Sequence, residues 1–163
     1  PLIIYNIPGR SGRNIENDTM LRLANHENIV AVKEASGSIP QVMDLIERKP
    51  DNFTVLSGDD NLAFPITSLG GKGVISVASN IIPNRIGSMI QLTLDAKLEE
   101  ARKLHYELLP VFRMVFLDTN PIPIKYAMSL KGMMKEVYRL PLCPLSEEKK
   151  SLVRKILSSQ GIL

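Results

Sequence analysis

Four short apolar runs, each followed by turn-forming residues, constrain this chain more than anything else in it. They are Leu2 to Tyr5, Ile29 to Val32, Phe53 to Leu56 and Val74 to Val77. All are read as strands, and three β-branched residues among four apolar ones mark Ile29 to Val32 as a short buried one. Between them lie helical patterns. The first run ends in Asn6-Ile-Pro-Gly-Arg-Ser-Gly12, after which Asp18 or Thr19 is read as capping a helix carrying Met20, Leu21, Leu23 and Ala24. Ser38 caps a second helix with Pro40 in its first turn and Val42, Leu45 and Ile46 as its inward stripe. Asp59 or Asp60 caps a third. Pro65 disfavours a helix interior by roughly 3 kcal/mol, so a kink or a late start is expected there, and Leu69-Gly70-Gly71 is read as a left-handed stop. Strand, loop and helix repeating at these intervals predict parallel βαβ units with right-handed crossovers.

Beyond Val77 the pattern turns wholly helical. Pro83 opens a helix reaching about Leu94, and another starts near Lys97 with Leu98, Ala101, Leu104, Leu108 and Leu109 inward. Asn120-Pro-Ile-Pro-Ile124 breaks it and begins a shorter helix through Leu130. A loop with Pro141 and Pro144 leads to a last helix capped by Ser146, its first-turn Glu147 and Glu148 favoured by the helix dipole. The expected division is therefore residues 1–82, four βα units carrying the strand ends, and 83–163, the last of their helices and an α-helical extension.

Composition narrows the function classes. A hydrophobic content of 44% over 163 residues supports a real core, and no apolar run approaches the roughly 20 residues that span a bilayer. The single cysteine, Cys143, has no internal partner, which fits a reducing, cytoplasmic setting. A formal charge of +3 with both signs interspersed, 5% aromatics and no tryptophan argue against a nucleic-acid surface. The chain enters a strand directly after Pro1, without a methionine, and is read as part of a longer polypeptide.

The carboxyl ends of parallel strands are where such folds bind ligands. The second strand ends in Lys33, followed by Glu34 and a Ser-Gly turn. A lysine amine desolvated at that rim attacks carbonyls to form a Schiff base. Tyr5 leaves the first strand at the same rim if the two strands are neighbours, and a phenol there relays protons. Arg10, in the following loop, offers a fork for a carboxylate. Each has an ordinary alternative: a solvated loop lysine, an amphipathic strand end, a surface charge. Ser68 to Gly73 lacks the Gly-Lys-Ser/Thr spacing of a phosphate cradle, His26 and His105 lack metal-ligand spacing, and no Gly-x-Ser-x-Gly elbow is present.

In combination these residues resemble the dihydrodipicolinate synthase / N-acetylneuraminate lyase family of pyruvate-dependent class I aldolases. The resemblance lies in Tyr5-Asn-Ile-Pro-Gly-Arg-Ser-Gly12, Val32-Lys-Glu-Ala-Ser-Gly37, Leu56-Ser-Gly-Asp-Asp60, Gly70-Gly-Lys-Gly-Val-Ile-Ser76, Asn120-Pro-Ile-Pro-Ile-Lys125 and Arg139-Leu-Pro141. It covers nearly the whole length in order. It implies the second half of a (β/α)8 TIM barrel plus a C-terminal helical region. It also implies that Lys33 forms a Schiff base with pyruvate, that Tyr5 is the proton relay and that Arg10 binds the carboxylate of L-aspartate 4-semialdehyde. Gly58 and Ile75 would supply main-chain contacts around the bound pyruvate and the lysine.

The implied reaction condenses pyruvate with L-aspartate 4-semialdehyde to 4-hydroxy-tetrahydrodipicolinate in lysine and diaminopimelate biosynthesis. The covalent pyruvate on Lys33 takes the place of any cofactor or metal. Arg10 favours this branch over an N-acetylneuraminate or keto-sugar-acid lyase, and a noncatalytic half-barrel association module is the third reading. The family's first four strands are missing, with a threonine pair and a tyrosine donated across a subunit interface. The expectation is thus a chain inactive alone, completed by an N-terminal half-barrel or a second copy, within a homo-oligomer.

Overall fold

The computed structural model describes all residues, 1–163. Three parallel strands form its sheet in the order β1 (Leu2–Asn6), β2 (Ile29–Glu34), β3 (Thr54–Ser57). A helical turn, α1 (Pro8–Ser11), follows β1 and is closed by Gly12 at φ +71°, where its N–H reaches the Pro8 carbonyl. Then come α2 (Asn17–Ala24), α3 (Ile39–Arg48), α4 (Ala63–Ser68), α5 (Pro83–Leu94), α6 (Leu98–Met114), α7 (Ile122–Leu130) and α8 (Glu147–Ser159). No helix is long and apolar enough to cross a membrane.

The chain divides into two compact units, with α5 and α6 each contributing to both. The first holds residues 1–76 and 89–102. Its core is one face of the sheet, Val32 and Val55 with Ile4 beside them, covered by Met20 and Ala24 of α2, Val42 and Leu45 of α3, Ile66 of α4 and Phe53. Strand side chains alternate between faces, so Ile3, Tyr5, Lys33 and Leu56 project from the opposite face. That face is open: Ile3 is 51% and Tyr5 44% exposed.

Several starts and stops follow the sequence reading. The Ser38 side chain accepts the Gln41 N–H, Pro40 lies in the first turn of α3, and Gly70 at φ +115° ends α4. Asp59 caps a 3-10 turn (Asp60–Leu62), and the regular helix begins late, at Ala63. Two expectations need correction. Helix α2 starts at Asn17, before Asp18, because the Glu16 carbonyl already accepts the Met20 N–H; Asp18 instead pairs with Arg48 at 2.5 Å. Val74 to Val77 is not a fourth strand. Only Val74 bridges to Ser57, with the Ser57 N–H on the Gly73 carbonyl (2.8 Å) and the Ile75 N–H on the Ser57 carbonyl (2.9 Å). Gly73 at φ +145° bends the run on one side and the turn Ala78–Asn80 on the other, leaving too few extended residues for a ladder. The four expected βα units are three strands and this bridge.

The second unit holds residues 77–88 and 103–163. Its buried residues include Leu108, Phe112 and Val115 of α6 and its end, Ile124 and Ala127 of α7, and Val153 and Leu157 of α8. The segment between α7 and α8 is strapped down by polar contacts. Lys125 Nζ donates to the Val137 carbonyl, Glu136 pairs with Lys150 at 3.2 Å, and the Tyr138 hydroxyl donates to the Ile122 carbonyl at 3.4 Å. Burial and the Glu136 carboxylate push the Tyr138 phenol up to about 12.

His105 of α6 is buried, its ring 5.9 Å from that of Phe112, and desolvation lowers its pKa from the ordinary 6.5. As pH falls below that value the unfolded chain takes up the proton before the folded one, so stability declines. The urea midpoint should therefore drop between about pH 7.5 and about pH 5, and His105→Gln should reduce that drop.

Candidate active site

The site is built on strand register. Successive rungs across the sheet are Ile3–Ala31–Thr54, Ile4–Val32–Val55, Tyr5–Lys33–Leu56 and Asn6–Glu34–Ser57. The third rung, at the carboxyl ends, projects from the open face. Parallel pairing in register puts Tyr5 directly beside Lys33, and the Lys33 Nζ lies 4.0 Å from the centroid of the Tyr5 ring. The ring's negative face attracts an ammonium, which gives the flexible lysine stem a definite aim. Lys33 is half-buried and has neither an ion pair nor a side-chain hydrogen bond. Its sequence neighbour Glu34 cannot neutralise it, because alternation sends that carboxyl to the helix side.

Gly58 closes the other flank. Its N–H donates to the Glu34 carbonyl at 2.7 Å, and a Cβ there would meet the Ala35 Cβ at 2.8 Å, the Glu34 carbonyl at 3.1 Å and the Lys33 Cγ at 3.1 Å. Only glycine lets the end of β3 come this close to the lysine stem. Ile75 is partly exposed beyond β3, held by its N–H on the Ser57 carbonyl. Arg10 sits exposed on α1, the turn that leaves β1. The structure thus brings Tyr5, Lys33 and Gly58 into one cluster, anchors Ile75 to the residue preceding Gly58, and sets Arg10 on the loop that follows Tyr5.

Sequence reasoning gave no role to the fourth rung. Asn6 Nδ2 donates to Glu34 Oε2 at 3.0 Å, and both residues are buried. The period-two alternation carries the signal: if Lys33 faces the open side, Glu34 must enter the core. No group of three or more His, Cys, Asp or Glu side chains is placed to hold a metal ion.

Residues 1–160 match the model of the dihydrodipicolinate synthetase family. The chain belongs to that family.

A 4-hydroxy-tetrahydrodipicolinate synthase of Prosthecochloris aestuarii is 49% identical over all of this chain and 55% of its own length. The crystal structure of dihydrodipicolinate synthase from Aquifex aeolicus superposes with a TM-score of 0.97 at 42% identity, covering 99% of this chain and 56% of that one. The chloride-inhibited dihydrodipicolinate synthase of Acinetobacter baumannii, complexed with pyruvate, gives a TM-score of 0.97 at 37% identity over all of this chain and 56% of the other. This member of the dihydrodipicolinate synthetase family therefore spans about half the length of the relatives it matches. Its α/β fold is that of the C-terminal part of their TIM barrels, as the resemblance implied.

Proposed function

We propose that this chain carries the lysine-bearing half of a 4-hydroxy-tetrahydrodipicolinate synthase, a cytoplasmic lyase of lysine and diaminopimelate biosynthesis. The observation that carries the reading is the Lys33 amine held 4.0 Å from the Tyr5 ring on the open face of the sheet. The family match supports it, as does a pyruvate-bound structure among the relatives.

In this reading the unprotonated Lys33 Nζ adds to the ketone of pyruvate, and loss of water leaves a Schiff base. The iminium draws electrons from the adjoining methyl, which gives up a proton to become an enamine. The enamine carbon attacks the aldehyde of L-aspartate 4-semialdehyde while Arg10 holds that substrate's carboxylate. Tyr5 moves protons at the nitrogen and the new alkoxide. Gly58 and Ile75 shape the main chain around the keto acid. The Schiff base itself supplies the electron sink, so the chemistry needs neither a metal nor an organic cofactor.

Half a barrel leaves this rim open on the side of β1. A preceding half-barrel in the same polypeptide, or a second copy within a homo-oligomer, completes it, and the isolated chain binds pyruvate without completing the condensation. The test incubates the purified chain with pyruvate and borohydride and maps the modified peptide by mass. One reduced pyruvate on the peptide containing Lys33, with no condensation product when the semialdehyde is added, is the expected result. No adduct at Lys33 overturns the aldolase reading; full turnover overturns the need for a second half.

A further inference from the structure

Beneath the reactive rung lies a polar layer that the aldol chemistry does not use. Asn6, Glu34 and Ser57 face the helices and are only 1%, 2% and 0% exposed. Both oxygens of the Glu34 carboxyl are engaged: Oε2 accepts from Asn6 Nδ2 at 3.0 Å, and Oε1 accepts the Ser36 N–H at 2.6 Å. Asn6 Oδ1 accepts the Ile15 N–H at 3.0 Å, and Nδ2 is shared with Asn14 Oδ1 at 3.0 Å. Asn14 and Gln41 then exchange amide hydrogen bonds, and Ser38 caps the Gln41 N–H at 3.2 Å. The network ties the ends of β1 and β2 to the loops that follow each of them.

A core does not call for this layer on packing grounds. Burying a carboxyl is costly unless every oxygen is satisfied, and an apolar pair of similar size holds two strands together as well. What an apolar pair lacks is direction. The Asn6–Glu34 hydrogen bond fixes the residues immediately after Tyr5 and Lys33, whose side chains leave the sheet on the other face. Lys33 has no hydrogen bond of its own, so the aim of its four-carbon stem depends on the backbone it leaves. The geometry points to Glu34 and Asn6 as the positioning pair for Lys33 and Tyr5: their hydrogen bond sets the strand ends so that the amine lies over the phenol ring. Neither touches the keto acid. The catalytic consequence rests on the Schiff-base reading, whereas the coupling itself does not.

Reductive methylation of the full chain with 13C-formaldehyde places an NMR reporter on each lysine, and Lys33→Arg assigns the signal of residue 33. Ring current from Tyr5 displaces that signal upfield. Glu34→Gln replaces an acceptor by a donor that faces either Asn6 Nδ2 or the Ser36 N–H. In the folded variant the Lys33 signal is expected at the position of exposed lysines, with pyruvate trapping slower by about tenfold to a hundredfold. Asn6→Asp combined with Glu34→Gln exchanges donor and acceptor across the pair but leaves Asn14 Oδ1 without its donor, so partial recovery of both is expected. An unchanged Lys33 signal in folded Glu34→Gln overturns the positioning role, even if its melting temperature falls. Should Glu34→Gln not fold, Glu34→Asp, which withdraws the carboxyl by one methylene, is read in the same way. A ring-shifted signal lost on Glu34→Gln, in a chain that traps no pyruvate, sustains the positioning pair and removes the aldolase reading.

Discussion

Lys33→Ala forms no borohydride-stable adduct with pyruvate under conditions in which the unmodified chain is labelled on that residue. An imine needs a primary amine that meets the ketone unprotonated and unblocked. Several other lysines are tied to oxygen: Lys149 pairs with Asp118 at 2.6 Å, Lys150 with Glu136 at 3.2 Å, and Lys125 donates to the Val137 carbonyl. Lys33 instead has no ion pair or side-chain hydrogen bond and rests on an aromatic face on the open side of the sheet, where nothing blocks its amine. Lys33→Arg should be equally silent although it keeps the charge, because a guanidinium does not condense with a ketone. Peptide mapping of the reduced protein is the measurement. Equal labelling of the wild type and Lys33→Ala would assign the chemistry to surface lysines and remove the site.

The elements that the sequence made legible are those set by local chemistry. Leu2 to Tyr5, Ile29 to Val32 and Phe53 to Leu56 read as strands because they are short, apolar, rich in β-branched residues and bounded by turn-forming residues. Ser38 and Ser146 read as caps because their hydroxyls serve N–H groups three residues on. What escaped lacks a local mark or depends on the surrounding structure. The start of α2 at Asn17 follows Glu16 at the cap position, whose side chain makes no cap hydrogen bond, so no local cap marks it. Val74 to Val77 has strand composition, but whether it becomes a ladder rests on the bends that flank it. The site divides in the same way. Tyr5 and Lys33 were visible as strand-end residues, and register turned them into a pair. Glu34 follows Lys33 in sequence with no local sign of a role, and strand alternation is what places its carboxyl inside the sheet–helix layer. Gly58 was offered by resemblance alone, since its reason is a distance between strands.

That distance makes Gly58→Ala the second large effect. Its new Cβ would lie 2.8 Å from the Ala35 Cβ and 3.1 Å from the Glu34 carbonyl, groups fixed to the backbone at and just beyond the end of β2, and 3.1 Å from the Lys33 Cγ. The lysine stem can turn aside, but Ala35 and the Glu34 carbonyl cannot, so the end of β3 must move off. In moving it lengthens the 2.7 Å hydrogen bond from the Gly58 N–H to the Glu34 carbonyl. Overpacking of this kind costs about 1–3 kcal/mol, and displacing the Lys33 stem by a fraction of an ångström to 1 Å slows pyruvate trapping by up to about a hundredfold. Gly87→Ala is the control: it lies inside α5 with nothing within 4 Å of its Cβ. There alanine should stabilise the helix by up to about 1 kcal/mol and leave trapping unchanged. Denaturant midpoints and trapping rates on the three proteins separate the two effects. If Gly58→Ala traps pyruvate at the wild-type rate, the approach of β3 to the lysine stem is packing only, and the rim tolerates a looser fit than its geometry implies.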